Sequence, residues 1–136
     1  MKLVVCLDDG NGILFNKRRQ SKDSILRQRL LERSRGSVLW MNAYSAAQFA
    51  EMSDSIRVNE DFLSKAGEGE YCFVENLDVA PFADRINQVI VYKWNRKYPA
   101  DTRFPMELFT SRWKLIESTE FAGSSHERIT EEVYIL

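Results

Sequence analysis

The sequence predicts an α/β domain whose central sheet is mostly parallel and whose C-terminal edge is an antiparallel hairpin. Three observations carry this reading. Short runs of buried-strand type (KLVVCLD at 2–8, SVLWM at 37–41, EYCFV at 70–74, QVIVYKW at 88–94) recur along the chain with helical segments between them. Two further strand-like runs, WKLIESTEF (113–121) and ITEEVYIL (129–136), flank the polar turn AGSSHER. The chain of 136 residues fits one domain, 1–136, with a single core and with no repeat or linker to divide it.

Each element has a local reason. KLVVCLD ends at DDGNG, a strong turn signal, and the Asp8-Asp9 pair is explained by that turn without a metal, since neighbours in a strand point to opposite faces. Residues 14–20, LFNKRRQ, read as an irregular basic loop. Ser21 is placed to cap a helix, with Asp23 in its first turn and Ile25, Leu26, Leu30 and Leu31 at helical spacing before SRG closes it. After the second strand, Asn42 or Ser45 begins a helix through AAQFAEM. SIRV (55–58) is a short strand candidate. Asn59 caps EDFLSKA, and Gly67 and Gly69 turn the chain back. Residues 78–84, interrupted by Pro81, form a helical or turn segment, and KYPADTRFPMEL reads as loop.

Composition narrows the function. No apolar run approaches the roughly 20 residues of a membrane span, and no signal-peptide pattern opens the chain, so the expected location is the cytoplasm. Cys6 and Cys72 lie in apolar runs and read as reduced core residues. His126 as the single histidine and the lack of a Cys-x-x-Cys pair argue against a His-rich zinc or metallo-hydrolase site, and no metal is expected. A Ser-His-Asp hydrolase would have to use His126 in its polar loop, a poor place for one. Residues 1–36 hold nine Lys/Arg against four acids, a charge of +5, whereas the remainder holds ten against sixteen, −6. Lys17, Arg18 and Arg19 are therefore candidate phosphate-binding residues, the other reading being a solvated basic loop.

The order of elements and the residues at their joints resemble dihydrofolate reductase. LVVCLDDGNGI (3–13) is similar to that family's first strand and the start of its mobile loop. SVLWMNAYSAAQF (37–49) is similar to its second strand and following helix. YCFVENLDVAPFADRINQVIVYKW (71–94) resembles the strand, short helix and strand around its cofactor glycines, and DTRFPMEL with the closing hairpin resembles its C-terminal part. The resemblance implies a three-layer α/β/α fold. It also implies a site for NADPH, and there the chain departs from the pattern. Glu75-Asn76 stands where the family has a Gly-Gly pair, adding bulk and a charge that would repel a diphosphate by about 1–4 kcal/mol at surface-like dielectric. Met41-Asn42-Ala43-Tyr44 lacks the arginine of the second cofactor element, and only SIRV is available where the family places the strand flanking the adenosine.

On the substrate side, the family's carboxylate matches Asp23, either as the catalytic residue or as a helix-start acid. The resemblance bounds a ligand cleft by Cys6, Asp23, Glu75, Asn76 and Tyr92. The expectation is a short, divergent member without standard NADPH binding, acting as a small-molecule-binding or regulatory module with no cofactor. A divergent NAD(P)H-dependent pterin or folate reductase using Asp23 is the alternative, and a nucleic-acid processing protein a remote third. Whether any reaction is catalysed stays open. The expected partner is an unidentified small molecule rather than a membrane or nucleic acid, and a homodimer would cover apolar surface left by a shortened sheet.

Overall fold

The structure, a computed structural model, describes residues 1–49, 53–109 and 112–135. Its spine is a seven-stranded sheet in the order β5-β4-β6-β1-β7-β10-β9. Five strands run parallel: β1 (Lys2–Leu7), β4 (Leu39–Met41), β5 (Ile56–Val58), β6 (Tyr71–Phe73) and β7 (Gln88–Lys93). β9 (Lys114–Phe121) and β10 (Ile129–Ile135) close the sheet as the antiparallel edge hairpin expected from the sequence. Among the described residues no helix is long and apolar enough to cross a membrane.

The central strands read as continuous apolar runs because both faces are covered. The two-residue period of a strand then sorts their side chains. Leu3, Val5 and Leu7 of β1 join Val89 and Val91 of β7 in one core layer with Phe62, Leu63 and Phe109. Val4, Ile90 and Tyr92 face the other way, onto Leu26 and Leu30 of α1 (Ser24–Arg33). Burying a leucine such as Leu30, with no exposed surface, contributes about 1.5–3 kcal/mol. Arg29 and Arg33 of α1 add a charged tie to β10, donating to the buried Glu131 carboxylate at 3.0 and 2.9 Å.

The structure corrects several local readings. Residues 14–20 are not irregular: β2 (Gly12–Phe15) and β3 (Arg18–Arg19) form a hairpin, and β8 (Thr102–Arg103) pairs with β2 to make a small second sheet. Asn16 and Lys17 at its tip both have positive φ, 52° and 62°, the geometry of a two-residue type I′ turn; asparagine tolerates it well but lysine gives no sequence signal for it. The cap of α1 is Asp23 rather than Ser21, its side chain accepting from the Ile25 and Leu26 N–H groups. Asn42 caps α2 (Ala43–Ala46), and the end of the expected AAQFAEM helix, 50–52, lies outside the described residues. Asp61 rather than Asn59 precedes α3 (Phe62–Lys65), because Asn59 Oδ1 accepts the Asp61 N–H and forms the turn before it. SIRV supplies β5, the edge strand beside β4, with Val58 53% exposed.

Candidate functional site

In an open α/β sheet, ligands bind beyond the carboxyl ends of the parallel strands, where neighbouring connections leave on opposite faces. Here β1 delivers Cys6 and Asp8 to that end, β4 delivers Asn42, β6 leads into Glu75-Asn76, and β7 leads into Trp94. Asp8 is structural. Its Oδ1 accepts the Gly10 and Gly12 N–H groups at 2.8 and 2.7 Å, and Oδ2 accepts Gln20 Nε2 at 2.9 Å. Burial alone would raise this carboxyl's pKa, but those donors hold it below the usual range. Gly12 sits close under the loop that follows β7: a Cβ there would lie 2.6 Å from Ala100 Cβ.

The β2–β3 hairpin folds over the end of β1 and lays Arg19 into the cleft. Glu75 accepts Arg19 Nε at 2.9 Å and Nη2 at 3.2 Å, a two-pronged ion pair. Arg19 Nη2 also donates to the Tyr44 carbonyl at 3.0 Å, its backbone N–H to the Tyr44 hydroxyl at 2.8 Å, and its guanidinium lies 4.3 Å from the Tyr44 ring centre. Gln48 Nε2 supports Glu75 Oε1 from the far side at 3.0 Å. Asn76 accepts from Asn42 Nδ2 at 2.8 Å. What remains between Cys6, Ile13, Val74, Trp94 and the ion pair is a cavity of about 10 Å³, room for roughly one water. Desolvation and the Glu75 charge push the Cys6 thiol well above its ordinary pKa, so it is held as the neutral thiol.

The other residues expected around the cleft are engaged by contacts within the fold. Tyr92 is Cys6's register partner on β7, yet it is fully buried with Leu26 and Leu30, edge-on to Phe121. Burial and the Glu131 carboxylate push its hydroxyl pKa up. Asp23 is buried at the start of α1. Its Oδ1 accepts the Ile25 and Leu26 N–H groups at 2.9 and 3.1 Å, and Oδ2 accepts the Ser125 N–H at 2.8 Å and hydroxyl at 3.1 Å. Against the effect of burial, these donors drive its carboxyl far below the carboxylate range. A Cβ at Gly123 would strike Asp23 Oδ2, so the 122–128 loop fits closely onto it. The side chains of Lys17 and Arg18 reach no partner among the described residues, and Arg19 is spent on Glu75.

Sequence reasoning did not foresee that His126 would meet Asp23. Its Nδ1 lies 3.0 Å from Ser125 Oγ and 3.5 Å from Asp23 Oδ2, its Nε2 lies 2.8 Å from the Tyr98 hydroxyl, and its ring stacks on Trp94 at 4.5 Å. Asp23, acceptor-only as a carboxylate, favours the tautomer with a proton on Nδ1, in which Nε2 is the acceptor for the Tyr98 hydroxyl. This is not a hydrolase triad. A triad needs the acid and the nucleophile on opposite ring nitrogens, whereas Asp23 and Ser125 share Nδ1. Two open clefts flank the cluster. One, of about 820 Å³, is bordered by Trp94, Arg96, His126 and Arg128. The other, of about 540 Å³, is bordered by Phe15, Arg18, Tyr98 and Pro99. No group of three or more His, Cys, Asp or Glu side chains able to hold a metal occurs among the described residues.

No family model matches the sequence, and no curated protein matches it. Among solved structures the chain is similar to dihydrofolate reductase from Enterococcus faecalis complexed with NADP(H) and RAB-propyl. The TM-score is 0.71 at 12% identity, over 98% of this chain and 94% of that one. At that identity the likeness speaks for architecture: the chain has a dihydrofolate-reductase-like fold, reached with a sequence far from that of the enzyme.

Proposed function

We propose that this protein has left standard NADPH chemistry and acts as a small-molecule-binding or regulatory module on a dihydrofolate-reductase-like fold. The observation that carries this reading is the cleft itself, where the bidentate Arg19–Glu75 pair leaves only about 10 Å³. The residues at the sheet end do not suit a dinucleotide. A diphosphate is favoured by free backbone N–H groups and uncluttered glycine. Here Glu75 brings a carboxylate to that place, the Glu60 carboxylate already takes the first α2 N–H, of Ala43, at 2.8 Å, and Asn42 Oδ1 takes the Ser45 N–H. The N–H groups at the start of α2 are thus already taken, and the space beside Glu75 is filled by Arg19.

The divergent-reductase alternative asks Asp23 to meet a substrate ring. Both its oxygens already accept two hydrogen bonds each from this chain, so that role has no support in the geometry. A melting experiment tests the reading. A ligand at 100 times its dissociation constant stabilises by about 2.7 kcal/mol, roughly 5–10 °C for a domain of this length. The expected result is no shift with millimolar NADPH, with or without dihydrofolate. A shift of several degrees with NADPH would overturn the proposal.

A further inference from the structure

The contact that closes the cleft has the form of a receptor for a planar cation. Around the Arg19 guanidinium, Glu75 supplies two acceptor oxygens, the Tyr44 carbonyl supplies a third acceptor at 3.0 Å, and the Tyr44 ring supplies a face at 4.3 Å. Glu75 and Tyr44 are also held by groups outside the hairpin. Tyr44 belongs to α2, and Gln48 just beyond it fixes the Glu75 carboxylate at 3.0 Å independently of the hairpin. The occupant arrives on a separate element, the two-residue strand β3, next to the Asn16-Lys17 tip.

We infer that Glu75, Gln48 and Tyr44 form a binding site for a small guanidinium or amidinium compound, which enters when Arg19 leaves. The inference rests on the reading that this cleft does not hold an anionic cofactor. Charge sets the ligand class. Among the described residues, Glu75 is the one charged group besides Arg19 that lines the cavity. With Arg19 withdrawn, an anion meets repulsion and a neutral molecule leaves a carboxylate that is 8% exposed without a cation; only a cation restores what was lost. Shape narrows it further. Two parallel N–H groups on one carboxylate, with a flat face on Tyr44, call for a planar fork rather than the point charge of an ammonium. Beyond the fork, Ile13, Val74 and Trp94 present apolar walls, which suit a compact hydrocarbon or aryl substituent. Arg19 then acts as a tethered competitor, and the affinity seen in the resting protein is lowered in proportion to the fraction of molecules with the site open.

Benzamidine tests this, with benzylamine (a cation without the fork) and benzamide (planar but neutral) as comparators. Binding is followed by backbone amide NMR and melting temperature in the wild-type protein, Arg19→Ala and Glu75→Gln. Benzamidine is expected to perturb residues around 42–48 and 74–76, and to bind Arg19→Ala at least about tenfold more tightly than wild type because the competitor is gone. Glu75→Gln is expected to lose it. Equal binding of benzamide, an unchanged affinity in Arg19→Ala, or binding retained in Glu75→Gln would each overturn the inference. Should Arg19→Ala fail to fold, Arg19→Gln shortens and neutralises the same side chain and serves in its place. The two readings fail separately. A melting shift with NADPH removes the proposed function whatever benzamidine does, whereas silence from benzamidine in the Arg19 variants, with NADPH also silent, removes only the cation site.

Discussion

The carboxyl end of the sheet is closed in two places by different means. On the β4–β6 side, one side chain from a hairpin lies in the cleft and meets a carboxylate: Arg19 on Glu75, 21% and 8% exposed. On the α1 side, Asp23, Ser125, His126 and Tyr98 tie three segments that are distant in sequence, with the Asp23 and His126 side chains 0% and 4% exposed. The first closure is a single ion pair that another cation can replace. The second is a carboxylate wrapped by four hydrogen bonds from its own chain, and nothing from outside can replace those donors without unfolding the loop. The hairpin side has the properties of a latch and the α1 side those of a clasp.

The largest effect should come from the clasp. Asp23→Ala removes the cap of α1 and takes the acceptor from the Ser125 N–H, whereas the Ser125 hydroxyl keeps the Lys22 carbonyl at 2.7 Å, so a cost of roughly 2–3 kcal/mol is expected. Asp23→Asn keeps a cap acceptor for Ile25 and Leu26 but turns an amide NH₂ toward the Ser125 N–H, so about 2 kcal/mol is expected. Urea denaturation of both variants separates the cap from the loop contact; equal and negligible losses would mean that the clasp does not stabilise the fold. The pH dependence has a definite sign. The folded pKa of Asp23 is depressed, so its contribution is fully present above its unfolded value of about 3.9 and is lost as pH falls from there toward the folded pKa. Asp8 and Glu131, also depressed against burial, lose stability in the same direction. The acid limb of stability against pH should therefore be shallower in Asp23→Asn by up to one proton, about 1.4 kcal/mol per pH unit.

The latch should be weaker and more sensitive to salt. Arg19→Ala leaves Glu75 with Gln48 and admits water beside it, so a loss of about 1–2 kcal/mol is expected. Raising salt should shrink the difference between Arg19→Ala and wild type while leaving the Asp23 differences nearly unchanged, because only the latch carries a partly exposed charge pair. A salt-independent Arg19 effect would mean that the residue acts by packing on Tyr44 rather than by charge.

How much of this was legible in the sequence follows the same division. The strands of the sheet were readable because apolar runs bounded by turn residues are local signals, and the terminal hairpin because two strand-like runs flank AGSSHER. The β2–β3 hairpin was hidden because its turn puts Lys17, which has no preference for positive φ, at the tip. Arg19 and Glu75 both drew attention, one as a phosphate ligand and the other as cleft wall. That they neutralise each other depends on hairpin register across 56 residues of chain. Asp23 was legible as a helix-start acid, but its meeting with His126 spans 103 residues and leaves no local trace. Tyr92 was placed at the cleft because the family resemblance puts the matching strand position there. The alternation of that strand instead sends it with Ile90 into the layer under α1.

The smallest effect, and the finest probe of the clasp, lies at Tyr98. Its hydroxyl lies 2.8 Å from His126 Nε2, and its ring stays at the border of the 540 Å³ cleft. Tyr98→Phe keeps the ring and deletes one hydrogen bond, leaving a buried ring nitrogen without its donor, so about 1 kcal/mol is expected. Because the substitution removes no charge, the loss should not respond to salt, unlike the loss at Arg19. Combining Tyr98→Phe with Asp23→Asn gives a sharper test than either alone. If Asp23 fixes the His126 tautomer that accepts from Tyr98, the hydroxyl is worth less once Asp23 is amidated, and the double variant loses less than the two single losses added together. Strict additivity would instead mean that Asp23 and Tyr98 hold the 122–128 loop as two separate anchors, with His126 transmitting nothing between them.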